Sequence, residues 1–269
     1  MKITKKDGSV VFIPGQEIAY ITLEDNAEVV ENSKEVCMCD DSVVNAEETI
    51  FEFVYFRDMT AVITGVKDKE ITEVKIPSQV QFNGEIYSVT RITKAFMNCA
   101  SLTSIVIPNT VTSIGDMAFC GCKSLTSIEI PNSVTTIKGM AFKDCTRLTS
   151  IEIPNSVTSI GGGAFQNCTS LTSIEIPNSV TEIEMETFRN CTSLTSVVIG
   201  NSVTKIGQYA FTNCKSLTSV IIPRSVTEIA NWAFSNCTNL KTAQVPNGCK
   251  FDSDVRNTPF PVTCKIVYY

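Results

Sequence analysis

A repeat solenoid is the fold class this sequence predicts. It would be a right-handed coil with a parallel β-sheet on one face, short turns or helical turns on the other, and β caps at both ends. Three ladders predict it. Cys99, Cys122, Cys145, Cys168, Cys191, Cys214 and Cys237 are each 23 residues apart. Phe96, Phe119, Phe142, Phe165, Phe188, Phe211 and Phe234 keep the same step, as do Leu102, Leu125, Leu148, Leu171, Leu194, Leu217 and Leu240. A fixed period of this length marks units that cannot bury a core alone and must stack on their neighbours.

Four segments follow in order: 1–48, an N-terminal β hairpin plus acidic linker; 49–70, N-terminal cap strands; 71–247, the solenoid; 248–269, the C-terminal cap. Lys2 to Leu23 reads as a hairpin around Asp7-Gly8, with Val10 and Phe12 alternating beyond the turn. Residues 24–48 hold nine acids against one base, Lys34. That stretch accounts for more than the whole formal charge of −6 and reads as a solvated linker. Residues 49–66 read as strands leading into the first coil.

Within a unit, Leu125, Ile128 and Ile130 point inward while Ser127 and Glu129 point out, the alternation of a short strand. Pro131-Asn132-Ser133 then supplies turn chemistry. Val134 and Ile137 begin a second apolar segment, and Ala141-Phe142 closes the coil in a tight or helical turn. The first coil is irregular: Gln81 to Tyr87 intervenes, and Asn83-Gly84 reads as a two-residue hairpin turn. At the other end, Cys249 falls one period after Val226 and should still fill the core. Val262, Cys264, Ile266 and Tyr268 alternate as a closing strand.

The motif Leu-x-x-Ile-x-Ile-Pro-x-x-Val-x-x-Ile, followed by Ala-Phe-x-x-Cys, recurs in phase across residues 71–247. In this it resembles the BspA-like leucine-rich repeats of bacterial surface proteins, found also in some parasitic protists. The buried Asn usual after the strand of leucine-rich repeats is absent, as in the BspA-like variant. The resemblance implies a leucine-rich-repeat coil and protein–protein interaction, often adhesion to host components, hence a secreted or cell-surface location.

Composition narrows the function classes. No apolar run approaches the roughly 18 residues needed to cross a bilayer. Met1 to Gly8 is a charged start with no apolar segment behind it, so the chain either stays inside or follows a removed leader. No basic stripe exists to neutralise phosphates, which argues against nucleic acid. There is no histidine, the commonest general base and metal ligand. With no Gly-rich phosphate loop and no nucleophile elbow either, the sequence reads as a non-enzyme without a cofactor.

The cysteine ladder reads as packing. In-register stacking aligns neighbouring Cβ vectors and spoils the torsion a disulfide needs. Cys37-Met38-Cys39 and Cys120-Gly121-Cys122 lack zinc spacing, and whether Cys249 and Cys264 pair across the cap in an oxidising compartment stays open at this point. Asn167, Asn190 and Asn236 each begin an Asn-Cys-Thr glycosylation sequon, which the repeat frame itself explains.

Specificity has room in two outward columns that vary. The first runs Val106, Glu129, Glu152, Glu175, Val198, Ile221, Gln244 on the strand face, beside a hydroxyl column that includes Ser127, Ser150 and Ser173. Three stacked glutamates repel one another, and a positively charged partner relieves that. Val198 and Ile221 add an apolar patch. The expected partner is a protein, with extracellular matrix and host surface proteins as the candidates. The second column, before the Ala position, runs Lys94, Met117, Met140, Gly163, Glu186, Tyr209, Trp232 and reads as an alternative contact surface or as edge packing. Against a binding module stands a structural spacer or presentation stalk for the N-terminal element, since near-identical coils write little specificity.

Overall fold

The computed structural model describes residues 2–4, 10–12, 43–251 and 258–269. Asp7-Gly8, Cys37-Met38-Cys39 and the acidic stretch as far as residue 42 lie outside the described residues. The chain forms a stack of near-identical coils, entered through a small β assembly. At the start, Lys2–Thr4 pairs antiparallel with Val10–Phe12. Phe51–Tyr55 and Thr60–Val66 form an antiparallel hairpin whose second strand runs parallel to Glu85–Ile92 of the first coil. Gln79–Phe82 turns back into Glu85–Ile92 across Asn83-Gly84, both residues at positive φ, the geometry that dipeptide favours. Among the described residues no helix is long and apolar enough to cross a membrane. The one helical element among them is the three-residue 3-10 turn Ala46–Glu48.

Two columns of short parallel strands run along the stack. One column comprises Arg91-Ile92, Ser113–Ile114, Thr136–Ile137, Ser159–Ile160, Glu182–Ile183, Lys205–Ile206, Glu228–Ile229 and Lys250–Phe251. It pairs in register throughout, save between Ser159–Ile160 and Glu182–Ile183. The column built on the Leu-x-x-Ile-x-Ile motif is interrupted. Glu73–Lys75 pairs with Ser104–Val106, Ser173–Ile176 with Ser196–Ile199, and Ser219–Ile221 with Thr242–Val245 and then Lys265–Tyr268. In the coils at 127–130 and 150–153 the inward–outward alternation persists, but no strand ladder forms. The coils close through tight turns rather than helical ones.

The core is a set of ladders. The seven phenylalanines from Phe96 to Phe234 are fully buried and stack nearly parallel, with ring centroids 4.9–5.4 Å apart. Phe51 of the entry hairpin meets the first ring edge-on at 6.4 Å, and Phe260 stacks on the last at 5.0 Å. Truncating one ring inside such a stack costs about 3–5 kcal/mol in other cores. At Ala's place in one coil stands Thr187, fully buried, its hydroxyl donating to the Glu184 carbonyl at 2.8 Å.

The C-terminal end departs from the alternation read in the sequence. Its strand is Lys265–Tyr268, with Cys264 and Ile266 half-buried against the core. Val262 sits in the preceding turn at 98% exposure and Tyr268 is exposed, so neither points inward. Pro261-Val262-Thr263 is the turn that lets the Cys264 amide donate to the Pro261 carbonyl, and a turn residue has no core side to face. Cys249 is likewise only half-buried: among the described residues no further complete coil is stacked on it.

Candidate binding surface

The strand-face column is held outward by its neighbours. Because Ile128, Ile130, Ile151, Ile153, Ile174 and Ile176 turn in, the residues between them turn out. Ser127, Glu129, Ser150, Glu152, Ser173, Glu175, Val198 and Ile221 are all exposed, in two adjacent columns. The array keeps register even where the strands lapse: amides of Thr149, Thr172 and Thr195 donate to the carbonyls of Thr126, Thr149 and Thr172 one coil earlier. Threonine hydroxyls repeat the same step at 3.2, 3.3 and 3.0 Å. Val106, Val198 and Ile221 are 53%, 52% and 59% exposed, unusual for β-branched residues with no polar atom to hydrate.

The ladder lapses at four junctions, two of which oppose glutamate to glutamate (129 to 152, 152 to 175). Where Glu175 faces Val198 instead, the strands pair. Like charges directly opposite weaken pairing, which accounts for those two. The lapses between Val106 and Glu129 and between Val198 and Ile221 have no such cause in the structure. A shallow cleft of about 630 Å³ opens at the first glutamate pair, lined by Ser127, Glu129, Asn132, Ser150, Glu152 and Pro154 among others.

The second column holds a feature that its sequence conceals. Lys94, Met117, Met140, Gly163, Glu186, Tyr209 and Trp232 all adopt left-handed backbone, φ between 53° and 64°. Only glycine does so freely, and for other residues it costs about 1–2 kcal/mol. The side chains pack along the stack: Tyr209 and Trp232 lie face to face at 5.2 Å, and Arg189 caps Tyr209 while pairing with Glu186. A Cβ on Gly163 would sit in ordinary van der Waals contact with Met140, at 3.5 Å.

Four residues further on lies a second left-handed column: Asn98, Gly121, Asp144, Asn167, Asn190, Asn213 and Asn236. Its side chains form an amide ladder: Asn167 donates to Asp144 at 2.6 Å, Asn190 to Asn167 and Asn213 to Asn190, both at 2.7 Å. Two of the three sequon asparagines are thereby engaged, and Asn236 is exposed.

The ladder thiols are free. Each from Cys122 to Cys237 donates to the phenylalanine carbonyl of the previous coil at 3.1–3.3 Å. Burial pushes Cys191 up to about 12, against a slight opposing pull from the backbone of Cys168, so it stays a neutral donor at physiological pH. Burial raises Cys122, Cys145, Cys168 and Cys214 as well. A thiol so held is a poor nucleophile. The half-buried Cys249 and Cys264 are also free. Among the described residues no group of three or more Cys, Asp or Glu side chains is placed to hold a metal ion.

The family model for the BspA type leucine-rich repeat region, in six copies, matches residues 90–184 and 159–255, more than half of the chain. No curated protein matches significantly. Among solved structures, the T. pallidum leucine-rich-repeat protein TpLRR is 29% identical, with 65% of this chain and 91% of that one covered and a TM-score of 0.51. A leucine-rich cell surface protein from Faecalibacterium prausnitzii is 22% identical, covering 81% and 93%, with a TM-score of 0.34. A leucine-rich-repeat protein from Bacteroides ovatus is 20% identical, covering 82% and 98%, with a TM-score of 0.32.

Proposed function

Because the chain belongs to the BspA-type leucine-rich-repeat family, we propose that it is a non-enzymatic protein-binding module, secreted or at the cell surface, that recognises a partner by its strand face. One observation carries this reading. Val106, Val198 and Ile221 stand more than half exposed in the same column as Glu129, Glu152 and Glu175. Apolar side chains beside ordered charges, fixed by a rigid scaffold, make a surface suited to a partner that covers the first and neutralises the second. The catalytic alternative lacks support on this face, which offers carboxylates and hydroxyls but neither a base poised on a nucleophile nor an enclosed pocket.

The test immobilises the whole chain and measures binding to a panel of extracellular matrix and plasma proteins at low and physiological salt. A Glu129→Lys, Glu152→Lys, Glu175→Lys variant runs in parallel. Saturable binding by wild type, lost in the variant, is the expected outcome. Binding that survives the variant moves the site to the Trp232 side or to the N-terminal region. Failure of every panel member to bind favours a spacer that presents the N-terminal element.

A further inference from the structure

We propose that the strand face takes an amphipathic α-helix of the partner, laid along the solenoid axis, basic residues over Glu129, Glu152 and Glu175 and apolar ones over Val198 and Ile221. The inference rests on the reading of the strand face as the binding surface and adds to it the shape of what binds.

The argument is one of pitch. The column presents one such side chain per coil, and where its strands pair, at Glu175 and Val198, neighbouring coils stand about 4.7–4.9 Å apart. An α-helix rises about 5.4 Å per turn and sets a side chain on one stripe roughly once per turn, at i, i+4, i+7, i+11 and i+14. A helix therefore drifts from the coils by only about 2–3 Å over the four coil steps from Glu129 to Ile221. An extended chain repeats its side chains every ~6.6–7 Å on one face, so it slips about one position across the same distance.

Charge order fixes the chemistry. From Glu129 onward the array reads three carboxylates and then two bare β-branched side chains, none of them in an ion pair within the described residues. A helix with a basic stripe over three turns and an apolar stripe over the next two complements that order. The cleft between the first two glutamate coils gives a long basic side chain room to lay its methylenes along Ile128 and Ile151.

A labelled, alanine-based peptide of about 18 residues tests this. It carries Lys at three stripe positions and Leu at the next two. Controls are the same composition with two internal prolines and a peptide with Glu for Lys. Binding to the whole chain is read by fluorescence anisotropy at two salt concentrations, and peptide helicity by circular dichroism. The helical Lys–Leu peptide should bind at least roughly tenfold tighter than the proline peptide, gain helicity on binding and ignore the glutamate triple-lysine variant. A Val198→Ser, Ile221→Ser variant, altered only at the surface, should weaken it by a similar factor without changing the salt dependence. Equal binding of the helical and proline peptides overturns the proposal, as does indifference to the serine variant. If the peptide fails while a panel protein still binds and is lost on charge reversal, the strand-face reading stands and the helical occupant falls. If panel binding survives charge reversal, the underlying reading falls first.

Discussion

Every coil bends into the left-handed region twice, four residues apart, and the two columns this creates are filled differently. At Asn98, Gly121, Asp144, Asn167, Asn190, Asn213 and Asn236 the chain uses the residues that tolerate such backbone. At Lys94, Met117, Met140, Glu186, Tyr209 and Trp232 it uses residues that do not. The fold makes the same demand at both places, so the difference lies in the side chains. In the first column the side chain answers the backbone and then bonds along the stack. In the second it is retained against the backbone, for what it touches. Backbone cost sustained where a smaller residue would serve is a mark of selection for the side chain itself.

Five substitutions test that contrast, each read as a shift in chemical-denaturation midpoint. Phe165 lies between the two columns and supports both, its ring stacked at 5.4 Å on each side. Phe165→Ala should cost about 3–5 kcal/mol, and a loss under about 1 kcal/mol would mean the coils close over the gap. Asn190→Ala gives up two amide bonds and a tolerant backbone, for about 2–3 kcal/mol. Asn190→Gly should recover about 1 kcal/mol of that, which isolates the backbone share. Trp232→Gly relieves its φ of 57° but loses the stack on Tyr209, with a net loss of about 1–2 kcal/mol. Lys94→Gly, at nearly the same φ but with an exposed side chain, should instead stabilise by about 0.5–1 kcal/mol. Opposite signs at Trp232 and Lys94 support the contrast; equal signs break it.

The coil, its core and the outward array were legible because each follows from spacing within one unit. Leu125, Ile128 and Ile130 bury themselves by alternation whatever the neighbouring coil does. What the sequence hid depends on relations between coils. The lapse of pairing at Glu129 and Glu152 involves the distance between strands, which no single repeat encodes. The thiol-to-carbonyl bonds join residues 26 positions apart, across a coil boundary. Asparagine at one left-handed column was a readable signal, and it was read only as a glycosylation sequon. Methionine, tyrosine and tryptophan at the other carried no signal, since none of them favours that backbone. At the C-terminus the period-two pattern from Val262 to Tyr268 continued through a turn, where alternation has no meaning.

The ring stack runs without a break from Phe96 into Phe260, so one coil is joined to the next by the same contact throughout. A joint that is identical at every step makes length a free variable. Duplicating or deleting any 23-residue unit between Cys122 and Cys237 restores every ladder on both sides of the splice. It moves the two ends by one coil. Near-identical gene segments recombine readily, and here each such event would yield a closed fold. Through this stack the chain behaves as a ruler whose graduation is the phenylalanine ring, and its reach is open to evolution in whole steps.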